Sequence, residues 1–279
     1  MRIDANFIET VLGQFYKSFC TEKDWCVVSG VNPNIDVYGK HIYQKLYALK
    51  YLPAYYFEYC ILADKLKNRL EKNAQKMVSI ASLGCGLTPC YYALSHNLGG
   101  IGFDYHGYDA YEWKMRSLMP APDFNFHFYN KTVSKLEKGD IENYDVFIFP
   151  KSIGDINDSG PNVIQHLANI ISATSKNKIY FLNSYVSKSK QNVSHVSFFK
   201  KIHDALISQG FTTLDKYDGT FYRGEQGQGL KGIDYDFTYN DKYFIKCNNK
   251  EKSCVDCNVI KFPILKNNFM SYQILEYTR

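Results

Sequence analysis

Residues 78–94 read VSIASLGCGLTPCYYAL. An apolar run ends at Leu83, glycines follow at 84 and 86, and Thr88-Pro89 leads into a second apolar run. A glycine pair between a strand and a helix lets backbone approach a ligand where a side chain would clash. Pro89 suits a first helical position, and Thr88 suits the N-cap before it. The start of such a helix presents free N–H groups and the positive end of its dipole. The stretch therefore predicts a strand over 77–83, a ligand-facing turn, and a helix over 89–97 closed by Gly99-Gly100.

The same alternation continues downstream. Strands are predicted over 101–109, 124–130, 145–150 (DVFIFP) and 178–185 (KIYFLNSY). DVFIFP is apolar almost throughout, as in a strand covered on both faces. Gly160-Pro161 opens a helix with Val163, Ile164, Leu167, Ile170 and Ile171 on one side. A later helix carries Phe199, Ile202 and Leu206 on one face and ends at Gly210. Strand alternating with helix predicts an α/β fold with a doubly wound, mainly parallel sheet. The tail, 211–279, holds strand-like pieces (TTLDKY, YDFTY, KYFIKC, SYQILEY) and no clear helix, which predicts an antiparallel edge with an inserted loop.

Residues 1–75 read as a helical N-terminal cap, and 76–279 as the α/β domain with a Cys-containing insertion near 247–257. Leu62, Leu66 and Leu70 share a face at helical spacing, and Pro53 suits the first turn of their helix. Tyr43, Tyr47, Tyr51, Tyr55 and Tyr59 recur every fourth residue. They form either a packing stripe or an aromatic lid over a pocket.

Composition narrows the function. The 279 residues are 45% hydrophobic, enough for a full core, and include 24 Tyr and 19 Phe. Net charge is +5, too small by itself to imply nucleic acid. Between Ser159 and His203 there is no Asp or Glu but six Lys (176, 178, 188, 190, 200, 201) and three His (166, 195, 203). That stretch is either a solvated positive face or a surface for phosphates. No secretory signal and no apolar run of about 18 residues is present, so a cytoplasmic chain with reduced thiols and no membrane span is expected. Position 89 is proline where a dinucleotide G-x-G-x-x-G needs glycine, and G-x-x-x-x-G-K is absent.

SLGCGLTP resembles motif I of the class I (Rossmann-like) S-adenosylmethionine (SAM) dependent methyltransferases. The resemblance spans about 76–210 in strand order and spacing. It implies that backbone at Gly84 and Gly86 meets the methionine part of SAM, with Ser82 and Cys85 as cofactor-binding candidates beside them, although Cys85 and Cys90 also read as packed small side chains. It implies that Asp109, 25 residues after Gly84, binds the ribose hydroxyls, with Asp104 the alternative acid. Asn130 then falls where the family contacts adenine, and Pro150 lies in a motif IV region, FPKSIGDI (149–156), beside the transferred methyl. The sequence departs from the family at Ser82, in place of the motif I acid, and at Thr88, in place of its third glycine. It also lacks the Asp/Asn-Pro-Pro-Tyr of amino-methylating DNA enzymes.

The resemblance implies a methyltransferase acting on an unidentified acceptor, with a small molecule slightly favoured. An RNA methyltransferase and an inactive SAM-binding partner subunit are the alternatives, and a homo-oligomer is compatible with each. Lys151 and Asp155 are the candidates for proton transfer, with Ser152 beside them. His106 is expected in a structural place near the second strand, and His195 and His203 on the outer helix. Gly84→Val is expected to block the ligand without unfolding the chain. Cys247, Cys254 and Cys257 form C-x6-C-x2-C, a candidate zinc knuckle whose fourth ligand is open among Cys20, Cys26, His195 and water.

Overall fold

The computed structural model describes residues 1–18, 37–186, 189–218 and 270–279. In chain order, helices α1 (Ala5–Lys17), α2 (His41–Lys50) and α3 (Leu52–Lys72) precede β1 (Met77–Leu83), α4 (Pro89–Asn97) and β2 (Gly102–Asp109). Then come β3 (Phe126–Asn130), the single-turn α5 (Lys138–Ile141), β4 (Val146–Pro150), α6 (Ile153–Asp158) and α7 (Val163–Ser172). β5 (Lys178–Val186), α8 (Ser189–Ser208) and β6 (Met270–Thr278) complete the order. The six strands form one sheet, β3-β2-β1-β4-β5-β6. All pairs are parallel except the last, where β6 runs antiparallel to β5. This is the α/β class predicted, including its antiparallel C-terminal edge.

Strand alternation sorts the core into two layers. On β4, Val146 and Ile148 face the layer built with α1, α2, α3 and α4, while Phe147 and Phe149 face the layer built with α7 and α8. Both faces of β4 are fully buried, which explains its unbroken apolar sequence. In α1, Asp4 caps the helix by accepting from Phe7 N–H at 3.0 Å. The helix buries Phe7, Ile8, Val11, Leu12 and Phe15 along one stripe. On α3, Leu62, Leu66 and Leu70 are all buried as their spacing predicts, each contributing about 1.5–3 kcal/mol of burial.

Several boundaries differ from expectation. β3 begins at 126 rather than 124: Phe124 is exposed, and Phe126 N–H closes a turn onto the Asp123 carbonyl. Thr88 is not a side-chain cap. It sits in left-handed backbone at φ 57°, its hydroxyl makes no capping bond, and its N–H donates to the Cys85 carbonyl at 2.8 Å. Pro89 does open α4. The helix α6 after β4 carries no amphipathic repeat long enough to see in sequence. In the tail, SYQILEY lies within β6, whereas TTLDKY contributes only a bridge from Thr212 to Thr278. YDFTY and KYFIKC lie outside the described residues. No helix among the described residues is long and apolar enough to cross a membrane.

Candidate active site

The strand order reverses between β1 and β4, the place where open α/β sheets bind ligands beyond their carboxyl ends. A cavity of about 560 Å³ lies there. Its floor is the turn after β1. Gly84 and Cys85 N–H both donate to the Tyr108 carbonyl, at 2.8 and 3.2 Å, pinning this turn to β2. Gly84 and Gly86 adopt φ of +73° and +55°. A Cβ on Gly84 would stand 2.5 Å from Ser152 Cβ, so the glycine admits the neighbouring β4 turn. Ser152 Oγ completes that approach by donating to the Leu83 carbonyl.

Asp109 ends β2 and faces the cavity. Its Oδ2 accepts from Gly86 N–H and its Oδ1 from Tyr111 N–H, both at 2.9 Å. Each carboxylate oxygen retains acceptor capacity for a ligand hydroxyl. Burial raises the carboxyl pKa, and these two backbone donors act against that rise.

The far wall is the exit of β4. Lys151 is also left-handed, at φ +57°, and its side chain is buried. Its Nζ lies 3.0 Å from Glu58 Oε2 on α3 and donates to the Tyr185 carbonyl at 3.1 Å. Ser184 Oγ donates to the same Glu58 oxygen at 2.9 Å. Burial pushes Glu58 up and Lys151 down, and their mutual attraction opposes both shifts. One turn later, Asp155 has its pKa raised to about 6, first by burial and then by Asp158, with the Tyr38 hydroxyl lowering it.

Aromatic rings and one imidazole close the cavity. Tyr38, Tyr47 and Tyr55 come from the N-terminal segment, and Trp113 follows β2. His195 reaches in from α8 and packs on Gly154, where a Cβ would lie 2.6 Å from its Nε2. Burial lowers the His195 pKa, and its Nδ1 is buried with no hydrogen-bond partner among the described residues.

Gly84, Gly86, Asp109, Pro150, Lys151 and Asp155 are thus brought to one cavity. Ser82 and Cys85 are not among its lining. Ser82 Oγ lies 3.5 Å from Cys90 Sγ, and Cys85 is buried against Gly107. Asn130 points its amide back to the Asp109 carbonyl at 3.1 Å, and the wall beyond β3 is built by Thr132, Val133 and Ser134. Cys247, Cys254 and Cys257 lie outside the described residues, as do Cys20 and Cys26. The tyrosine stripe divides: Tyr43 and Tyr59 are buried in packing, while Tyr47 and Tyr55 face the cavity. His203 bonds the Tyr277 hydroxyl at 2.8 Å and does not line the cavity. His195 lies on the outer helix α8, as expected, and from there also lines the cavity. Glu58, Tyr38, Trp113 and His195 carry no sequence signal as site residues. None belongs to a local motif, and each arrives through packing.

No protein-family model matches the chain, and no curated protein matches it by sequence. Among solved structures, the chain is similar to the plantazolicin methyltransferase BpumL, solved with a monoazolic desmethylPZN analog and SAH. Identity is 14%, TM-score 0.43, and 98% of each chain is covered. It is similar to Aeropyrum pernix fibrillarin, solved with S-adenosyl-L-methionine, at 16% identity and TM-score 0.37, over 57% of this chain and 69% of that one. A third likeness is to a putative S-adenosyl-L-methionine-dependent methyltransferase (mmp1179) of Methanococcus maripaludis. It has 13% identity and TM-score 0.42, over 68% of this chain and 94% of that one. These likenesses concern the fold.

Proposed function

We propose that this chain is a SAM-dependent methyltransferase with a small-molecule acceptor. The observation that carries the reading is the Asp109 carboxylate. It stands at the end of β2 over a glycine turn, tied to that turn through Gly86 N–H, with lone pairs free toward a cavity at the β1–β4 reversal. A ribose diol fits that carboxylate, and the backbone at Gly84 and Gly86 leaves room for the rest of the cofactor. SAM, when bound, supplies a methyl group already activated on a sulfonium.

The chain's own part is to orient, to exclude water and to receive a proton. Tyr38, Tyr47, Tyr55 and His195 shield the cavity. Asp155, with its pKa near 6, is our candidate to take a proton from an acceptor N–H or O–H, since a base works best with a pKa close to working pH. Lys151 has its ammonium committed to Glu58 and the Tyr185 carbonyl, so we read it as holding the β4 exit rather than moving a proton.

RNA is the second reading, and the acid-free lysine stretch is its support. Lys176, Lys178 and Lys200 pair with Asp145, Glu276 and Asp204, which weakens that support and favours the small acceptor. The test is calorimetry with SAM and with S-adenosylhomocysteine. Both should bind, and Asp109→Asn should weaken them by about 10- to 100-fold, the range for losing a hydrogen bond to a charged group. Failure of both ligands to bind folded protein would overturn the reading.

A further inference from the structure

We propose that Asp104, His106 and His127 form a binding site for a first-row divalent cation of the zinc class, on the β2–β3 edge and away from the cavity. Alternation along β2 puts residues 104 and 106 on one face of the sheet. The parallel register then sets His127 directly beside His106. Their rings lie 4.7 Å apart between centroids.

Both imidazoles turn Nε2 toward one carboxylate. His127 Nε2 is 3.5 Å from Asp104 Oδ1, and His106 Nε2 is 3.9 Å from Asp104 Oδ2. One ligand atom from each residue can be chosen so that all three lie within 4.8 Å of one another. A tetrahedral zinc ion with bonds of about 2.0–2.1 Å holds its ligands roughly 3.3–3.4 Å apart. The observed spacing, up to 4.8 Å, is wider, so side-chain rotations would draw the three ligand atoms onto one ion. Simple ion pairing would draw one imidazolium to about 2.7–2.9 Å from the carboxylate. Here neither ring has closed on it, and the two approach different oxygens.

The surroundings fix the ring that matters most. His106 Nδ1 lies 3.3 Å from the Tyr129 hydroxyl. A proton held on Nδ1 by that oxygen leaves the Nε2 lone pair free for a metal, the usual arrangement behind a ligating histidine. Tyr129 also stacks on the His106 ring, and Tyr144 packs beside it at 5.1 Å. Asp104 and His127 are each 42% exposed, so ions reach them and water completes the coordination. Two histidines and a carboxylate suit zinc, cobalt or nickel rather than magnesium or calcium. A bound ion would clip β3, an edge strand, to β2.

The test is calorimetric titration of the full chain with Zn²⁺. The chain's eight cysteines also attract zinc, so the readout is the difference between the parent and its variants. His106→Asn with His127→Asn should remove one equivalent of bound zinc. Asp104→Asn should weaken that equivalent by about 10-fold or more, and Tyr129→Phe by about 10-fold. A Co²⁺ titration followed by proton NMR should shift the His106 and His127 ring signals first. Unchanged stoichiometry and affinity in the double variant would overturn the proposal and leave a hydrogen-bonded His–Asp cluster. If the double variant fails to fold, the exposed Asp104→Asn change decides in the same way.

Discussion

Strands β1 and β4 lie side by side and both leave the sheet through left-handed backbone, but they do so by different means. After β1, the left-handed positions nearest the strand are Gly84 and Gly86, with Thr88 following before α4. After β4, the position is Lys151, a residue for which that conformation costs on the order of 1–2 kcal/mol. The first turn puts glycine at its two tightest positions and ties its backbone N–H groups to the end of β2. The second is held by tertiary partners: Lys151 N–H donates to the Ser184 carbonyl at 3.1 Å, and Nζ is bound to Glu58 and to the Tyr185 carbonyl. One turn is written in residue types at the turn itself. The other depends on a carboxylate that α3 delivers from the N-terminal segment.

Removing that carboxylate should have the largest effect on the β4 exit. Glu58→Ala leaves a buried ammonium without its counter-charge, and should cost about 3–5 kcal/mol in urea unfolding. Glu58→Gln combined with Lys151→Met removes both charges and should recover most of that loss. A single-variant cost below about 1 kcal/mol, in the range of exposed pairs, would mean that backbone bonding alone holds the β4 exit.

The glycine turn should respond next. Gly84→Ala places a Cβ 2.5 Å from Ser152 Cβ at φ +73°. Overpacking and left-handed strain together should cost about 2–4 kcal/mol. Gly86→Ala meets Trp113 at an ordinary 3.4 Å and keeps only the strain, about 1–2 kcal/mol. Thermal melting of the two variants checks the order. Equal losses would show that Ser152 yields. The same contact revises the expectation that Gly84→Val blocks a ligand while sparing the fold: the bulk would meet Ser152 before any ligand.

Legibility in the sequence tracks where the information sits. Strands β1 to β5 and the glycine turn announce themselves through local apolar runs and turn residues, so their order is readable and their ends are blurred by a residue or two. Asp109 is readable because it ends a strand that the pattern already places. Asn130 and Cys85 hold the expected chain positions, yet their side chains take neighbouring partners instead of lining the cavity. Glu58 and His195 are not legible as site residues, since a buried glutamate on an apolar helix and a histidine on an outer helix have no local signature. Lys151 reads in sequence as a surface lysine or a proton carrier. Its role depends on Glu58, which no spacing within FPKSIGDI reveals.

The smallest of these effects tests the helix that the β4 exit launches. Asp155 sits on α6, half-buried, with its pKa raised to about 6 chiefly by burial. A carboxyl raised in the folded chain favours folding only while protonated. Its contribution is full below about pH 4, falls as pH rises toward about 6, and is gone above that. One pKa unit is about 1.4 kcal/mol, so two units bound the difference near ~3 kcal/mol, and partial exposure brings it nearer ~1 kcal/mol. Asp155→Asn, which cannot ionise, should therefore gain about 1 kcal/mol over the parent between pH 4 and pH 7, measured by urea unfolding at each pH. A parallel pH dependence in both proteins would show that Asp155 keeps an ordinary carboxylate. It would then be a weak base at neutral pH, and the site would have to draw its proton acceptor from elsewhere. A widening gap would instead fit a carboxylate that burial destabilises, poised to take the proton that a methyl acceptor gives up.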